Sequence, residues 1–343
     1  MGAGRIGTSV VGRGMRRLLL AVLVCALGAS LAAALTASGR AGRGAATEPR
    51  HASAASDLCT SSAPIPASAL AGGLDAGCSL TGRTVVSGKV EVQVPPPGVT
   101  VAADGIGSHG ESRSLVVSDR GGVVSSGSSA AGAAAAAASS QPTDCRSSQY
   151  VLENGGHPWS TTVHWKLRNA SVPARMKVTA VASRLKAAFA AWRFDHNDCG
   201  LTGQPKRLRD TYDGWTSTPT GIGMRSGTLK CGSFNHTNTV DIGHLPGDLL
   251  GWTCYWWGTH GSMIAFDTRL SSSTALVLAL PRGCRNKWDL QSVATHEFGH
   301  AIGLGHVSNA SQTMHGVAPA CTTAPRTIGR GDRLGLKALY GIS

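Results

Sequence analysis

The amino-acid sequence predicts an α+β fold, on the basis of strand patterns and one amphipathic helix. Residues 57–124 contain short β-branched or alternating segments separated by Gly- and Pro-containing turns, which is typical of strands. Residues 161–167 predict the first strand of a second region. A helix is predicted after Pro173, because apolar side chains recur there every three or four residues and form one stripe. The members of that stripe are Val178, Val181, Leu185, Phe189 and Trp192.

Further segments of the second region predict the rest of a sheet. Residues 196–235 are rich in Gly, Thr and Asp and predict loops with short strands. Residues 238–242 and 261–267 predict two strands, and the aromatic segment 249–257 predicts another between them. Its aromatic side chains are equally compatible with lining a cleft and with packing in the core.

The N-terminal 37 residues have the pattern of an export signal. Four arginines within residues 1–17 precede an uncharged run of Leu, Ala and Val at residues 18–37, an order typical of a signal peptide. The run can also span a bilayer, so an uncleaved membrane anchor is an alternative. In both cases we expect the rest of the chain outside the cytoplasm, either secreted or anchored to the outer face of the membrane. Residues 38–56 predict a disordered linker.

The chain after residue 56 divides into two predicted folded regions. Residues 57–124 predict a small β-rich module, which is either a pro-domain or an accessory domain. Ser, Gly and Ala dominate residues 125–142, a composition that favours a linker. Residues 143–343 are therefore expected to form a separate domain.

Charge and cysteine content narrow the class of protein. The formal net charge is +13, but no nucleic-acid-binding motif accompanies it, so we read the charge as a solvated surface and expect no nucleic-acid partner.

Apart from Cys25 in the N-terminal run, the cysteines before and after residue 142 are even in number, which predicts disulfides in an exported chain. Local pairings that the spacing permits are Cys59–Cys78, Cys231–Cys254 and Cys284–Cys321, while the overall connectivity stays open.

A pattern H-E-x-x-H-x-x-G-x-x-H begins at His296 and has the spacing of a metal site. His296 and His300 are four residues apart, so on a helix both imidazoles leave the same face and can hold one ion. Gly303 adopts a left-handed backbone without steric cost, so it can end the helix and bring His306 round as a third ligand. Glu297 lies beside the first ligand, where a carboxylate can act on a water molecule at the metal. Three protein ligands leave one position open, as in catalytic zinc sites.

This pattern resembles the signature of the metzincins, and the segment HEFGHAIGLGH is similar to their matrixin branch in particular. Met314 follows His306 by eight residues, a spacing similar to that of the methionine turn beneath the metal in matrixins. Residues 289–295 and 331–341 resemble the start of the active-site helix and the closing helix of that family. For residues 143–343 the resemblance implies a matrixin-like catalytic domain. Its parts would be a twisted, mostly parallel sheet, long helices and a C-terminal subdomain with the methionine turn.

The resemblance implies a secreted zinc-dependent endopeptidase that hydrolyses peptide bonds of extracellular proteins. One catalytic zinc ion is expected, held by the three histidines of the pattern. Glu297 is expected to act as the general base, and Gly303 and Met314 to support the site. In matrixins, the strand corresponding to residues 249–257 is an edge strand that pairs with the substrate backbone. The expected partners are proteins or peptides, with a membrane involved only if the N-terminal segment stays uncleaved, and we expect a monomer.

The sequence also departs from the family in several places. Some matrixins hold a structural zinc and calcium among their loops. The dense His/Asp motif that binds this zinc is not visible here, so His236, His244 and His260 are predicted to be solvated. A structural calcium ion stays an open alternative. Val307 and His315 replace residues usual in the family. The P-R-C-G-type cysteine motif that keeps many matrixins latent is absent.

Two other functions fit the same zinc pattern. One is a non-catalytic, zinc-stabilised binding or adhesion module, which would have no need of Glu297 beside the first ligand. The other is a zinc hydrolase of cell-wall amide bonds. The predicted strand beside the helix favours an extended peptide over the second alternative, by analogy.

Overall fold

A computed structural model describes residues 58–70, 78–109, 113–119, 122–124, 145–233 and 235–343. The predicted signal or anchor and both predicted linkers lie outside these ranges. The principal helices are α1 (Ala67–Leu70), α2 (Val178–Arg193), α3 (Leu290–Ala301) and α4 (Arg330–Tyr340). No helix within the described ranges is long and apolar enough to cross a membrane.

Seventeen strands with defined bounds lie in the described ranges. In chain order they are β1 (Ile65–Pro66), β2 (Thr84–Ser87), β3 (Val90–Gln93), β4 (Val99–Gly105), β5 (Arg113–Ser118), β6 (Val123–Val124), β7 (Val151–Leu152), β8 (Val163–Leu167), β9 (Asp210–Trp215), β10 (Ile222–Arg225), β11 (Thr228–Cys231), β12 (Thr239–Gly243), β13 (Gly251–Gly258), β14 (Met263–Ser271), β15 (Leu276–Val277), β16 (Trp288–Asp289) and β17 (Leu304–Gly305). The β-rich character predicted for residues 57–124 is thereby confirmed.

The larger sheet has eight strands in the order β6-β5-β4-β13-β14-β12-β8-β9. From β14 to β9 the three pairings are parallel, while β13 runs antiparallel to β14. This part of the sheet is therefore mostly parallel, as predicted. β4, β5 and β6 extend it with antiparallel pairings, so the complete sheet is mixed.

Two hydrophobic cores lie on opposite faces of β13. One lies between the eight-stranded sheet and helices α2 and α3, and includes Tyr255 and Trp257. The other lies between that sheet and a five-stranded sheet of order β1-β2-β3-β11-β10, and includes Trp252, Cys254 and Trp256. Side chains on a strand alternate between its faces, so β13 contributes to both cores. The aromatic residues of β13 are thus buried packing residues.

Strands from both sides of residue 142 build the second core. Val85, Val92 and Leu115 come from the N-terminal strands, and Leu229 and Trp252 come from the later region; all five are 0% exposed. β3 also pairs in parallel with β11. The described part of residues 57–124 therefore packs directly onto the later region and shares its core.

The position of β13 contradicts the expectation of an edge strand. Its Thr253–Gly258 segment pairs with Val99–Asp104 of β4 on one side, and β14 pairs with its other side. The resemblance could not predict this, because it covers only residues 143–343 and the pairing strand comes from the module before them.

Helix α2 confirms the predicted apolar stripe but begins later than predicted. Val181, Leu185, Phe189 and Trp192 are fully buried. The backbone of Lys177 is still extended and caps the helix without a side-chain hydrogen bond, so the turn after Pro173 lies outside it.

Four disulfides join the cysteines of the described ranges. The three suggested pairings are confirmed, with S–S distances of 2.02 Å for Cys59–Cys78, 1.90 Å for Cys231–Cys254 and 2.09 Å for Cys284–Cys321. The remaining pair, Cys145–Cys199, joins the start of the later region to the loop after α2.

The buried carboxylate of Asp332 ties the first turn of α4 to the segment that carries Met314. It accepts hydrogen bonds from the backbone N–H groups of Gly329 (2.9 Å), Thr313 (2.8 Å) and Met314 (3.2 Å). Asp332 is 1% exposed, and burial raises its pKa to about 6. This single side chain therefore holds two chain segments together.

We expect Asp332→Ala to lower the free energy of unfolding by roughly 3 kcal/mol, because it leaves three buried N–H groups without an acceptor. Urea denaturation followed by circular dichroism measures the change. Asp213→Ala is the matched control: its partly exposed carboxylate contacts His164 at the surface, and such pairs contribute at most about 1 kcal/mol. Equal effects of the two substitutions would contradict the anchoring role.

Candidate active site

Helix α3 presents the candidate metal residues from inside the core. Asp289 begins it by accepting a hydrogen bond from the Ser292 backbone N–H at 2.9 Å, the usual role of an N-cap aspartate. Arg326 fixes the same carboxylate with two bonds of 2.8 and 2.5 Å. Trp192 of α2 donates its indole N–H to the Thr295 carbonyl at 2.7 Å. The helix is thus held at its start and along its length.

The three histidines of the pattern converge on one point. The Nε2 atoms of His296, His300 and His306 lie 3.0–3.1 Å from one another. The Nδ1 atom of His296 lies 2.7 Å from the Thr313 carbonyl, and that of His300 lies 2.8 Å from the Leu304 carbonyl. Because a carbonyl can only accept, both Nδ1 atoms carry the proton and both Nε2 atoms present a lone pair.

This arrangement fits a bound zinc ion. Tetrahedral zinc at about 2.0–2.1 Å from each nitrogen needs nitrogen separations of about 3.3 Å, close to those found. Burial lowers the pKa of His296 and His306 well below the usual value, and the adjacent imidazoles lower it further. Burial also lowers the pKa of His300. Neutral imidazoles are the metal-binding form, and their carbonyl partners fix the ring orientations.

Glu297 lies beside the histidines with both oxygens occupied. Its Oε2 accepts a 2.6 Å hydrogen bond from the Thr253 hydroxyl, and its Oε1 accepts a 3.3 Å bond from the Ile106 N–H. Burial raises the pKa of Glu297 to about 8, against the opposing effect of those two donors. A methyl group on Gly251 would lie 2.3 Å from Oε1, so this glycine leaves space for the carboxylate.

The turn after α3 has the geometry that the sequence predicts. The helix ends at Ala301, and Gly303 has a φ of +101°, in the region that favours glycine. His306 follows after the short strand β17 and faces the other two imidazoles.

Met314 packs directly beneath the histidine-bearing helix. It is 1% exposed, and a methyl group on Gly299 would lie 2.1 Å from its sulfur. Only a residue without a side chain lets the methionine come this close. The Met314 carbonyl also accepts a 3.0 Å hydrogen bond from the Val307 N–H, which ties this turn to the chain just after His306.

The structure adds residues that the sequence pattern did not single out. Thr253 and Gly251 hold Glu297, and both lie on β13, far from α3 in the chain. Asp104 is 2% exposed and accepts a 2.6 Å hydrogen bond from the Tyr255 hydroxyl. Burial, with Asp104 nearby, raises the pKa of Glu153 to about 8. The one sequence signal was an acidic residue, Asp104, within an otherwise apolar strand.

The loop histidines His244 and His260 lie apart from this cluster, whereas His315 lines a pocket together with His296. Within the described ranges, the group His296, His300 and His306 is the one set of three or more His, Cys, Asp or Glu residues whose ligand atoms lie within 4.8 Å of each other. His244 and His260 line two separate open surface pockets.

The mixed sheet, the buried helices and the histidine cluster define an α+β protein with a metzincin-like fold. The matrixin family model matches residues 210–341. Over 60 residues the chain is 42% identical to Metalloendoproteinase 1 of Glycine max, covering 16% of this chain and 18% of that protein. Over 58 residues it is 45% identical to Matrix metalloproteinase-25 of Mus musculus, covering 16% and 9%. Residues 210–341 are therefore matrixin-like.

The matched segment spans less than a fifth of each of these relatives. Among solved structures, metalloproteinase-II from Bacteroides fragilis is similar over 58% of this chain and 59% of that chain, with a TM-score of 0.28 and 10% identity.

We expect Gly299→Ala to lower the free energy of unfolding by about 1–3 kcal/mol, because the added methyl overpacks the Met314 contact. Alanine otherwise stabilises a helix relative to glycine by about 1 kcal/mol, so the sign of the change is diagnostic. Thermal unfolding measures it. Gly223→Ala on β10 is the control, since a methyl group there meets nothing within 4 Å. A more stable Gly299→Ala protein would contradict the close packing.

Proposed function

We propose that the protein is a zinc-dependent endopeptidase that acts on proteins outside the cell. The observation that carries the proposal is the convergence of three imidazole nitrogens, 3.0–3.1 Å apart, beside the buried carboxylate of Glu297. The matrixin match supports metalloprotease chemistry. The four disulfides support an oxidising compartment.

In this proposal His296, His300 and His306 hold the zinc ion as neutral ligands. When bound, zinc supplies Lewis acidity, which acidifies water and polarises the substrate carbonyl. Glu297 accepts the proton of the attacking water and then delivers it to the leaving amine nitrogen.

Neighbouring carbonyl and hydroxyl groups keep these residues in place. The Thr313 and Leu304 carbonyls fix the imidazole rings of His296 and His300, and the Thr253 hydroxyl orients Glu297. Met314 provides an apolar floor and does not coordinate. The carboxylate also separates this proposal from a zinc-stabilised binding module, since binding alone gives no role to a buried acid beside the ligands.

We expect Glu297→Gln to keep one zinc ion per chain and to lose hydrolysis of an unfolded protein by at least about a hundredfold, the usual contribution of a general base. Metal analysis and a fluorescent casein assay on the full chain measure the two properties. The assay is repeated in an Ile106→Asp background, because a buried charge at this position should weaken the packing of the side chain that borders the pocket beside His296. Undiminished activity of the Gln variant would remove Glu297 from the mechanism.

We expect His300→Ala to lose zinc at concentrations that saturate the unmodified protein, because only two of the three imidazole ligands remain. Equilibrium dialysis with metal analysis tests this. His260→Ala is the matched control, because this residue lies in a separate surface pocket. Normal zinc content in the His300 variant would refute the ligand assignment.

A further inference from the structure

A segment of the chain itself lies across the cleft beside α3. β4 pairs antiparallel with β13 from Val99–Gly258 to Asp104–Thr253. The chain then continues through Gly105 and Ile106, where the Ile106 N–H reaches Glu297. The module therefore occupies the side of β13 that faces the candidate active site.

The backbone of this segment is bound from two sides. The Leu250 N–H donates to the Ile106 carbonyl at 2.9 Å, and the Ala318 N–H donates to the Gly107 carbonyl at 2.8 Å. Gly107 forms an antiparallel bridge with Leu249 and a parallel bridge with Val317. An extended peptide held by main-chain hydrogen bonds between two neighbouring strands is the general mode of β-strand recognition.

The side chain of Ile106 is 3% exposed and borders a pocket beside the histidines. The walls of this pocket include Val293, His296, Val317 and Ala318. An aliphatic side chain of the N-terminal module therefore lines this pocket together with residues of the later region.

The nitrogen of the Gly105–Ile106 peptide bond lies within hydrogen-bond reach of the proposed proton donor. Glu297 Oε1 lies 3.3 Å from the Ile106 nitrogen, which is the leaving nitrogen if this bond breaks. A general acid must be within hydrogen-bond reach of that atom. A methyl group on Gly105 would lie 2.5 Å from the Trp252 ring and 2.6 Å from the Gly251 carbonyl oxygen. Glycine thus permits the close approach of the chain here.

We propose that residues 104–107 are an internal substrate, and that the protein hydrolyses its own Gly105–Ile106 bond within one molecule. Water adds its oxygen to the Gly105 carbonyl carbon, the C–N bond breaks, and the Ile106 nitrogen takes up a proton through Glu297. The products are a carboxylate at Gly105 and a new amino terminus at Ile106. The inference rests on the proposed endopeptidase function.

The disulfides make this cleavage easy to detect. Cys59 pairs with Cys78 before the bond, and the other disulfides of the described ranges join residues after it. The two products are therefore linked by packing and hydrogen bonds alone, so they separate on a denaturing gel without reductant.

The test starts from the full chain purified in chelator. Zinc is added, and intact-mass and N-terminal analysis follow the products. We expect a fragment that begins at Ile106, forming at a rate independent of protein concentration. A tagged Glu297→Gln chain mixed with the active chain is expected to stay intact, since the reaction is intramolecular; its cleavage at this bond would overturn that part of the proposal.

Two substitutions test the position of the bond. Ile106→Asp places a charge in the pocket and should leave no cleavage at 105–106, whereas Ile106→Leu should be cut. The control Ile264→Asp makes the same change at an exposed position on β14 and should be cut like the unmodified protein. A Leu variant that folds, binds zinc and stays intact would count against the proposal.

Two comparisons separate this inference from the proposed function. If Ile106→Asp hydrolyses casein while the unmodified chain stays intact at Gly105–Ile106, the internal substrate is refuted and the endopeptidase stands. If neither protein hydrolyses any peptide bond, both proposals are refuted.

Hydrogen exchange of the metal-free chain tests the position of Ile106 without catalysis. The Ile106 amide should be protected from exchange, and an amide that exchanges like an exposed one would contradict its position in the cleft.

Discussion

The close approach of three imidazole nitrogens governs the construction of this protein. Neutral rings with lone pairs about 3 Å apart do not attract one another, so the surrounding fold must hold them there. Backbone carbonyls of Thr313 and Leu304 fix two of the rings, and Gly303 turns the chain to deliver His306. The caps, turns and buried helix of the C-terminal region all serve to keep these atoms together.

Strand β13 connects the candidate metal site to the rest of the molecule. Its alternating side chains fill the two cores, its Thr253 orients Glu297, and its Gly251 leaves the space that the carboxylate occupies. Its free side is covered by β4. A strand that carries a catalytic support on one face and a shared core on the other cannot shift without disturbing both. The N-terminal module and the candidate active site are therefore mechanically joined.

The contact between the N-terminal module and the candidate active site offers a way to block the site in a chain that lacks the cysteine motif found in many matrixins. Here the backbone of residues 104–107 is hydrogen-bonded between β13 and the segment at Gly316–Ala318. Occupation of a cleft by main-chain bonds requires no metal-binding side chain from the blocking segment, and it places an ordinary peptide bond next to Glu297. In the self-cleavage proposed above, the residues that lie beside Glu297 would also be the first substrate.

The sequence by itself predicted the candidate metal ligands, the α+β class and the helix stripe, and it suggested three of the disulfides, because local spacing indicates which side chains share a helix face or a loop. Only the tertiary structure revealed Thr253, Gly251 and Ile106 around Glu297, and the pairing of β13 with β4 in one sheet. These contacts join residues up to 191 positions apart, and no local pattern encodes which strand will cover another. Asp104 illustrates the limit of prediction from sequence. An acidic residue among apolar neighbours can be read from the sequence, but its hydrogen-bond partner Tyr255 depends on the register of the sheet.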